Sequence, residues 1–251
     1  MGEDQTARFF FVPPGDLSQN PVRFPPEESH HLRDVVRLGR GVLITAVDGG
    51  GNGAVLRLRK RGDEIVGEVE RRFRSAVEPG RPVAVAFAML KGQASDALVE
   101  GCTELGAAVF QPFFSTRSVP RPVRGRGESR RLRMERIARS AMKVARAASC
   151  PAVRDPLGWK ELLLTFGEYE QVLLCRRDES AGPPPVAKGP VLVVIGPEGG
   201  LTGEEEKEAL AAGARAFSLG PRNLRSSTAA LAACSALLAT SSAWDGGREG
   251  T

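Results

Sequence analysis

Apolar residues recur along this chain in two rhythms, and the change between them near residue 76 divides it. In the front part, short runs rich in β-branched and aromatic residues at 8–12, 42–47, 54–59 and 64–73 are separated by turn-forming residues. Such runs predict strands. Pro13, Pro14 and Gly15 break the first, and the glycine-bearing stretches 48–53 and 60–63 join the last three as hairpins. Residues 27–38 set Leu32, Val35, Val36 and Leu38 on one side of a helix that Gly39 ends. The glycines between 49 and 53 join two antiparallel strands and open no helix, which favours a turn over a phosphate-cradling loop.

From residue 82 onward strands alternate with helices. Strands are expected at 82–90, 107–112, 171–175, 191–195 and 215–219. Helices are expected up to Leu105 with Gly106 as a stop, from Ser129 to about 148, from 203 to about 212 before Gly213, and from about 229 to 240. That alternation makes the fold class α/β, with a parallel sheet of about five strands. A small β domain at 1–75 precedes it, the α/β domain takes 76–251, and Pro79 and Gly80 mark the linker. Between 229 and 239 only Ser235 is polar. A helix apolar all round is buried, in the core or against another subunit.

Two glycine-bearing loops stand where a strand ends and a helix begins: Gly196, Pro197, Glu198, Gly199 and Gly200, then Leu219, Gly220, Pro221, Arg222, Asn223, Leu224 and Arg225. The run 191–195 is β-branched or Leu without alternation, the mark of a strand buried on both faces of a parallel sheet. Its loop therefore lies at a carboxyl edge, where open α/β sheets bind ligands. Thr202 and Glu205 form a capping box, and Ser226, Ser227 and Thr228 offer caps to the last helix. The loops read either as a ligand site or as ordinary glycine-rich turns. Neither carries the Gly-Lys-Ser/Thr of a phosphate loop or the spacing of a dinucleotide fingerprint.

Composition narrows the class. The chain has 251 residues, enough for a real core, and no apolar run approaches the ~20 residues of a membrane span. Residues 1–7 lack the layout of an export signal. Cys102, Cys150, Cys175 and Cys234 lie far apart without metal-ligand spacing, and only two histidines accompany them. Free thiols in a reducing cytoplasm and no metal are the expectation. Net charge is +5, but between 117 and 154 twelve Arg or Lys face only Glu128 and Glu135, an excess of ten. That run is either a solvated face or a phosphate-attracting surface, and its being almost all Arg suits RNA.

The paired loops, with Ile195 and Leu201 flanking the first, resemble the signature of the ribosomal RNA small subunit methyltransferase E family, the uridine-N3 methyltransferases of the SPOUT superfamily. His31, Leu32, Val35, Val36 and Arg37 match that family's helix signature; Lys91, Gly92 and Thr103 to Gly106 match further on. The resemblance implies a trefoil-knotted SPOUT methyltransferase domain behind a PUA-like RNA-binding β-barrel domain. It implies S-adenosyl-L-methionine as cofactor, seated by Leu174, Ile195, Gly196, Pro197, Glu198, Gly199, Leu219, Gly220, Asn223 and Leu224. It makes Arg225 and Arg222 the catalytic candidates, and His31, Arg37, Lys91 and Arg146 the RNA-binding ones. The implied partners are small-subunit ribosomal RNA or the assembled small subunit, and a second copy of the chain in a homodimer, with no membrane. By itself His31 reads as a surface or capping histidine.

The chain departs from the family at Ala94 to Asp96, at Glu100 and Gly101, around Lys143 to Arg146, and at Ser226 to Thr228, where a glutamate is customary at position 227. Three functions stay open on the sequence: a ribosomal RNA uridine-N3 methyltransferase, a related methyltransferase with another RNA target, and a noncatalytic RNA-binding paralogue.

Overall fold

The structure is a computed structural model that describes residues 8–36, 41–62, 64–75, 81–119, 126–177 and 188–239. It forms two units, Met1–Glu78 with Arg139–Cys150, and Pro79–Ala138 with Pro151–Thr251. The expected linker residues Pro79 and Gly80, the helix end at 37–39 and Thr240 lie outside the described residues.

The first unit contains β1 (Phe9–Phe11), α1 (Pro14–Leu17), β2 (Val22–Arg23), α2 (Pro26–Val36), β3 (Leu43–Val47), β4 (Asn52–Arg61) and β5 (Glu64–Arg74). Its sheet runs β1-β3-β4-β5-β2. The hairpins β3–β4 and β4–β5 are antiparallel, whereas β1 lies parallel to β3. The first hairpin turns on Asp48, whose Oδ1 accepts from the Gly50 and Asn52 amides at 2.7 and 3.0 Å. That side-chain turn confirms the turn reading of the glycines there. Pro13, Pro14 and Gly15 do end the first strand, but Pro14 also opens α1, because its fixed φ and missing N–H suit the first helical position. Phe10, Val12, Leu17, Leu32, Ile44 and Leu56 fill the core between sheet and helices. The segment 139–150 joins this unit through Arg139, whose guanidinium lies 4.8 Å above the Phe11 ring, and Lys143, whose Nζ is 2.7 Å from buried Glu28.

The second unit contains β6 (Val83–Ala88), α3 (Ala94–Leu105), β7 (Val109–Phe114), α4 (Arg126–Val144, whose last residues belong to the first unit), β8 (Ala152–Val153), β9 (Leu157–Gly158), α5 (Trp159–Leu164), β10 (Gln171–Cys175), β11 (Val191–Ile195), α6 (Gly203–Ala211), β12 (Arg215–Phe217) and α7 (Ser226–Ala239). Its sheet runs β12-β10-β11-β6-β7-β8, with β9 also on β7, and its pairs are parallel. Seven strands replace the expected five or so. The two additional ones, β8 and β9, are two-residue pieces too short to show a period. All of β6 and β11 is buried, as unbroken apolar runs require.

Helix α7 begins at Ser226, so Ser226, Ser227 and Thr228 form its first turn instead of preceding it. It packs on α3, β6 and β11, burying Ala230, Ala233, Cys234, Leu237 and Leu238. Buried Arg81 donates to the Leu237 carbonyl in its last turn. Gly101 lies where α3 meets α7: a Cβ there would sit 2.5 Å from Leu231 Cδ2. The family departure at this position is thus a packing residue between two helices.

Candidate functional site

Strands β10 and β11 pair in register, Cys175 opposite Ile195, so the chain leaves both at one edge. Beyond Ile195 the first loop folds tightly. Gly200, at φ +70°, donates its amide to the Pro197 carbonyl at 2.8 Å. Gly196 has no room for a side chain, because a Cβ would lie 3.2 Å from the Leu201 nitrogen. The loop runs straight into α6, where Thr202 Oγ1 accepts from the Glu205 amide at 3.2 Å and Glu205 Oε2 accepts from the Thr202 amide at 2.8 Å. That is the capping box expected from the sequence.

Strand β12 pairs on the other side of β10 and delivers the second loop to the same edge. Gly220, at φ +103°, makes the left-handed turn that a side chain would strain. The Arg225 carbonyl accepts from Ala229 at 2.8 Å, closing the first turn of α7.

Together the loops enclose a cleft of about 500 Å³, within the range of small-molecule sites, roughly 300–1,000 Å³. Leu174, Ile195, Gly196, Pro197, Glu198 and Gly199 line it, and so do Leu219, Gly220, Asn223 and Leu224. Arg222 lines it as well. Arg225 does not; it stands exposed one residue before Ser226, which does. The proposed RNA contacts fall in both units. Lys91 is exposed in the turn after β6 in the second unit, while His31 on α2 and Arg146 beyond α4 are exposed in the first. Arg146 takes a φ of 54°. Arg37 lies outside the described residues.

Sequence reasoning missed two cleft arginines, Arg176 and Arg177, which follow β10. Arg176 pairs with Glu206 of α6 at 3.1 Å, and Arg177 Nη1 donates to Asn223 Oδ1 at 3.4 Å, tying the β10 exit to the second loop. The signal was their place directly after a buried strand. Burial pushes the Cys175 thiol up to about 11, so at neutral pH it lines the cleft as an uncharged group.

The arginine-rich run is less bare than its local sequence suggests. Arg131 bonds Glu135 and Asp155, Arg133 bonds Asp96, Lys143 bonds Glu28 and Arg154 bonds Glu168. Four of these five acids, Glu28, Asp96, Asp155 and Glu168, lie outside the run in sequence, so the excess of ten is reduced in space. Arg136 and Arg146 remain exposed. Among the described residues no three His, Cys, Asp or Glu side chains gather as a metal site, and no helix is long and apolar enough to cross a membrane.

Comparison with known proteins matches residues 77–238 to an RNA methyltransferase domain family. Ribosomal RNA small subunit methyltransferase E of Mycobacterium tuberculosis is 32% identical, over 87% of this chain and 86% of its own length. The protein of that name from Bacillus subtilis is 29% identical, over 84% and 87%. Among solved structures, a ribosomal RNA small subunit methyltransferase E from Neisseria gonorrhoeae bound to S-adenosyl methionine superposes with a TM-score of 0.82 at 28% identity, covering 92% of this chain and 96% of that one.

Proposed function

We propose, for a chain that belongs to the ribosomal RNA small subunit methyltransferase E family, that it transfers a methyl group from S-adenosyl-L-methionine to N3 of a uridine in small-subunit ribosomal RNA. The observation that carries this reading is the convergence of the two glycine loops, with Leu174 between them, on a single cleft of about 500 Å³. The cleft fits the cofactor's needs. Gly196 packs its main chain against Leu201, both residues line the cleft, and the lining combines carboxylates with guanidinium groups.

Bound S-adenosylmethionine supplies an electrophilic methyl on a sulfonium. The residues seating it are Leu174, Ile195, Gly196, Pro197, Glu198, Gly199, Leu219, Gly220, Asn223 and Leu224. Their task is alignment, which can contribute roughly 7–11 kcal/mol when acceptor and donor are held in line. Uracil N3 loses its proton on methylation, and negative charge spreads to the flanking carbonyl oxygens. Arg222 at the cleft and Arg225 beside it are suited to stabilise that charge, since a guanidinium stays protonated and presents a planar fork of donors. His31, Arg37, Lys91 and Arg146 hold the RNA in this reading.

The same reading includes a knotted SPOUT domain, a PUA-like barrel at 1–75 followed by the methyltransferase domain at 76–251, a homodimer, and a cytoplasmic site of action. The chain path supports the knot: from β11 it crosses β10 to reach β12, then returns in α7 to pack on α3, β6 and β11. The five-stranded sheet supports the barrel. Ser235, Ala236 and Ala239, small and exposed on α7, leave room for a second copy, and four free thiols suit a reducing compartment.

Arg225→Ala and Arg222→Ala test the chemistry when cofactor affinity, by calorimetry, is measured apart from methyl transfer to small-subunit RNA. Affinity for S-adenosylmethionine is expected to hold within about twofold, while transfer by Arg225→Ala falls on the order of a hundredfold, the loss typical of a removed charge-stabilising donor. Unchanged turnover in both variants would remove the arginines from the reaction.

A further inference from the structure

The first glycine loop does not hold its shape alone. After β7 the chain makes a turn between two buried serines, in which the Ser115 amide donates to Ser118 Oγ at 3.1 Å and the Ser118 amide returns to the Ser115 carbonyl at 3.1 Å. From that turn Arg117 extends to the loop, and its Nη1 donates to the Gly199 carbonyl at 2.8 Å and to the Leu201 carbonyl at 3.3 Å. One residue earlier, the Thr116 amide donates to Glu205 Oε1 at 2.8 Å. Glu205 is the residue whose other oxygen caps α6 through Thr202.

The consequence is visible peptide by peptide. The Gly199–Gly200 peptide has its carbonyl on Arg117 and its amide on the Pro197 carbonyl. The Leu201–Thr202 peptide has its carbonyl on Arg117 and its amide on Glu205. Both planes are therefore fixed at both ends, across a stretch that contains Gly200 at φ +70° and would otherwise be among the freest in the chain. Glu198, Gly199, Gly200 and Leu201 all line the cleft, whereas Arg117 does not. The guanidinium grips the loop from outside the site it shapes.

We propose that Arg117 is a positioning residue for methyl transfer, a clasp from the β7 turn that holds the first glycine loop in its cofactor-binding conformation. The inference rests on the cleft being the S-adenosylmethionine site. Arg117 stands first in the arginine-rich run, so direct phosphate contact is the competing role, and the two roles separate experimentally.

Arg117→Ala, Arg117→Gln and Arg117→Lys would be titrated calorimetrically with S-adenosylmethionine alone and, separately, with small-subunit RNA alone; kcat and KM for the cofactor would follow. Loss of a charge-assisted pair of bonds is expected to weaken cofactor binding by about tenfold or more in Arg117→Ala. RNA affinity is expected to stay within about twofold and the melting temperature within about 2 °C. Arg117→Lys, which keeps one cationic donor, is expected to recover part of the cofactor affinity, a rescue that general destabilisation would not give. If Arg117→Ala fails to fold, Arg117→Gln and Arg117→Lys carry the comparison. Cofactor affinity unchanged in the folded variants, or RNA affinity lost in its place, overturns the clasp. Wild-type protein that does not bind S-adenosylmethionine overturns the functional reading beneath it, a distinguishable result.

Discussion

Glu205 shows how one carboxylate can serve a site that it never lines. It is buried, 4% exposed, and burial pushes its carboxyl up. Hydrogen bonds from Thr116 and Thr202 together outweigh that and hold it below its ordinary value of 4.5. A carboxyl depressed in the folded state binds fewer protons there than in the unfolded chain. Its contribution to stability is thus complete above the ordinary value and is lost as pH falls through the depressed one. Glu205→Gln is expected to cost on the order of 2 kcal/mol at neutral pH. It is also expected to flatten the stability profile between about pH 5 and pH 3, measured by denaturant unfolding across that range. An acid limb identical to wild type would show that the capping contacts contribute nothing. The capping pattern itself was legible, since Thr202 and Glu205 are three residues apart. The Thr116 and Arg117 contacts were not, because both cross more than 80 positions of sequence and no local pattern encodes them.

Among the elements, β10 and β11 matched their sequence runs end to end, because strands buried on both faces leave no polar interruption to blur their bounds. Short pieces escaped. β8, β9 and α1 have too few residues for a period, and α5, six residues long, was not separated from its loops. Helix α7 was recognised by its apolar character, but its start was set three residues late: the serines and threonine were read as caps although Arg225 precedes the first turn. Its last turn is held by a residue far away in sequence, Arg81, whose charge also complements the carbonyl end of the helix. Arg81→Met would leave the Leu237 carbonyl without that donor and is expected to destabilise the protein by about 1–3 kcal/mol. The midpoint of urea unfolding measures this. A midpoint equal to wild type would mean that the helix end is held without Arg81. Because Ser226 and Ala229 at the other end of α7 line the cleft, the anchor bears on the site as well as on stability.

At the scale of the whole molecule, the division of the chain is not a single cut. Residues 139–150 join the front unit although they follow much of the second one in sequence, and the contacts that bring them there, Arg139 on Phe11 and Lys143 on Glu28, pair positions more than a hundred apart. The same ion pairing tempers the charge argument. Arginines that look unopposed along the chain meet Asp96, Asp155 and Glu168 in the fold, while Arg136 and Arg146 stand exposed. What the sequence did make legible was which residues come together: the ten expected to seat the cofactor line one cleft, the catalytic candidate Arg222 lines it with them, and Arg225 stands beside it.

The most direct measurement is mass spectrometry of nucleosides from small-subunit ribosomal RNA of cells lacking this protein, before and after incubation with the purified protein and S-adenosylmethionine. A 3-methyluridine absent beforehand and restored afterwards is the expected result. A 3-methyluridine content that is already complete, or that the protein leaves unchanged on both free RNA and assembled subunits, would contradict the account.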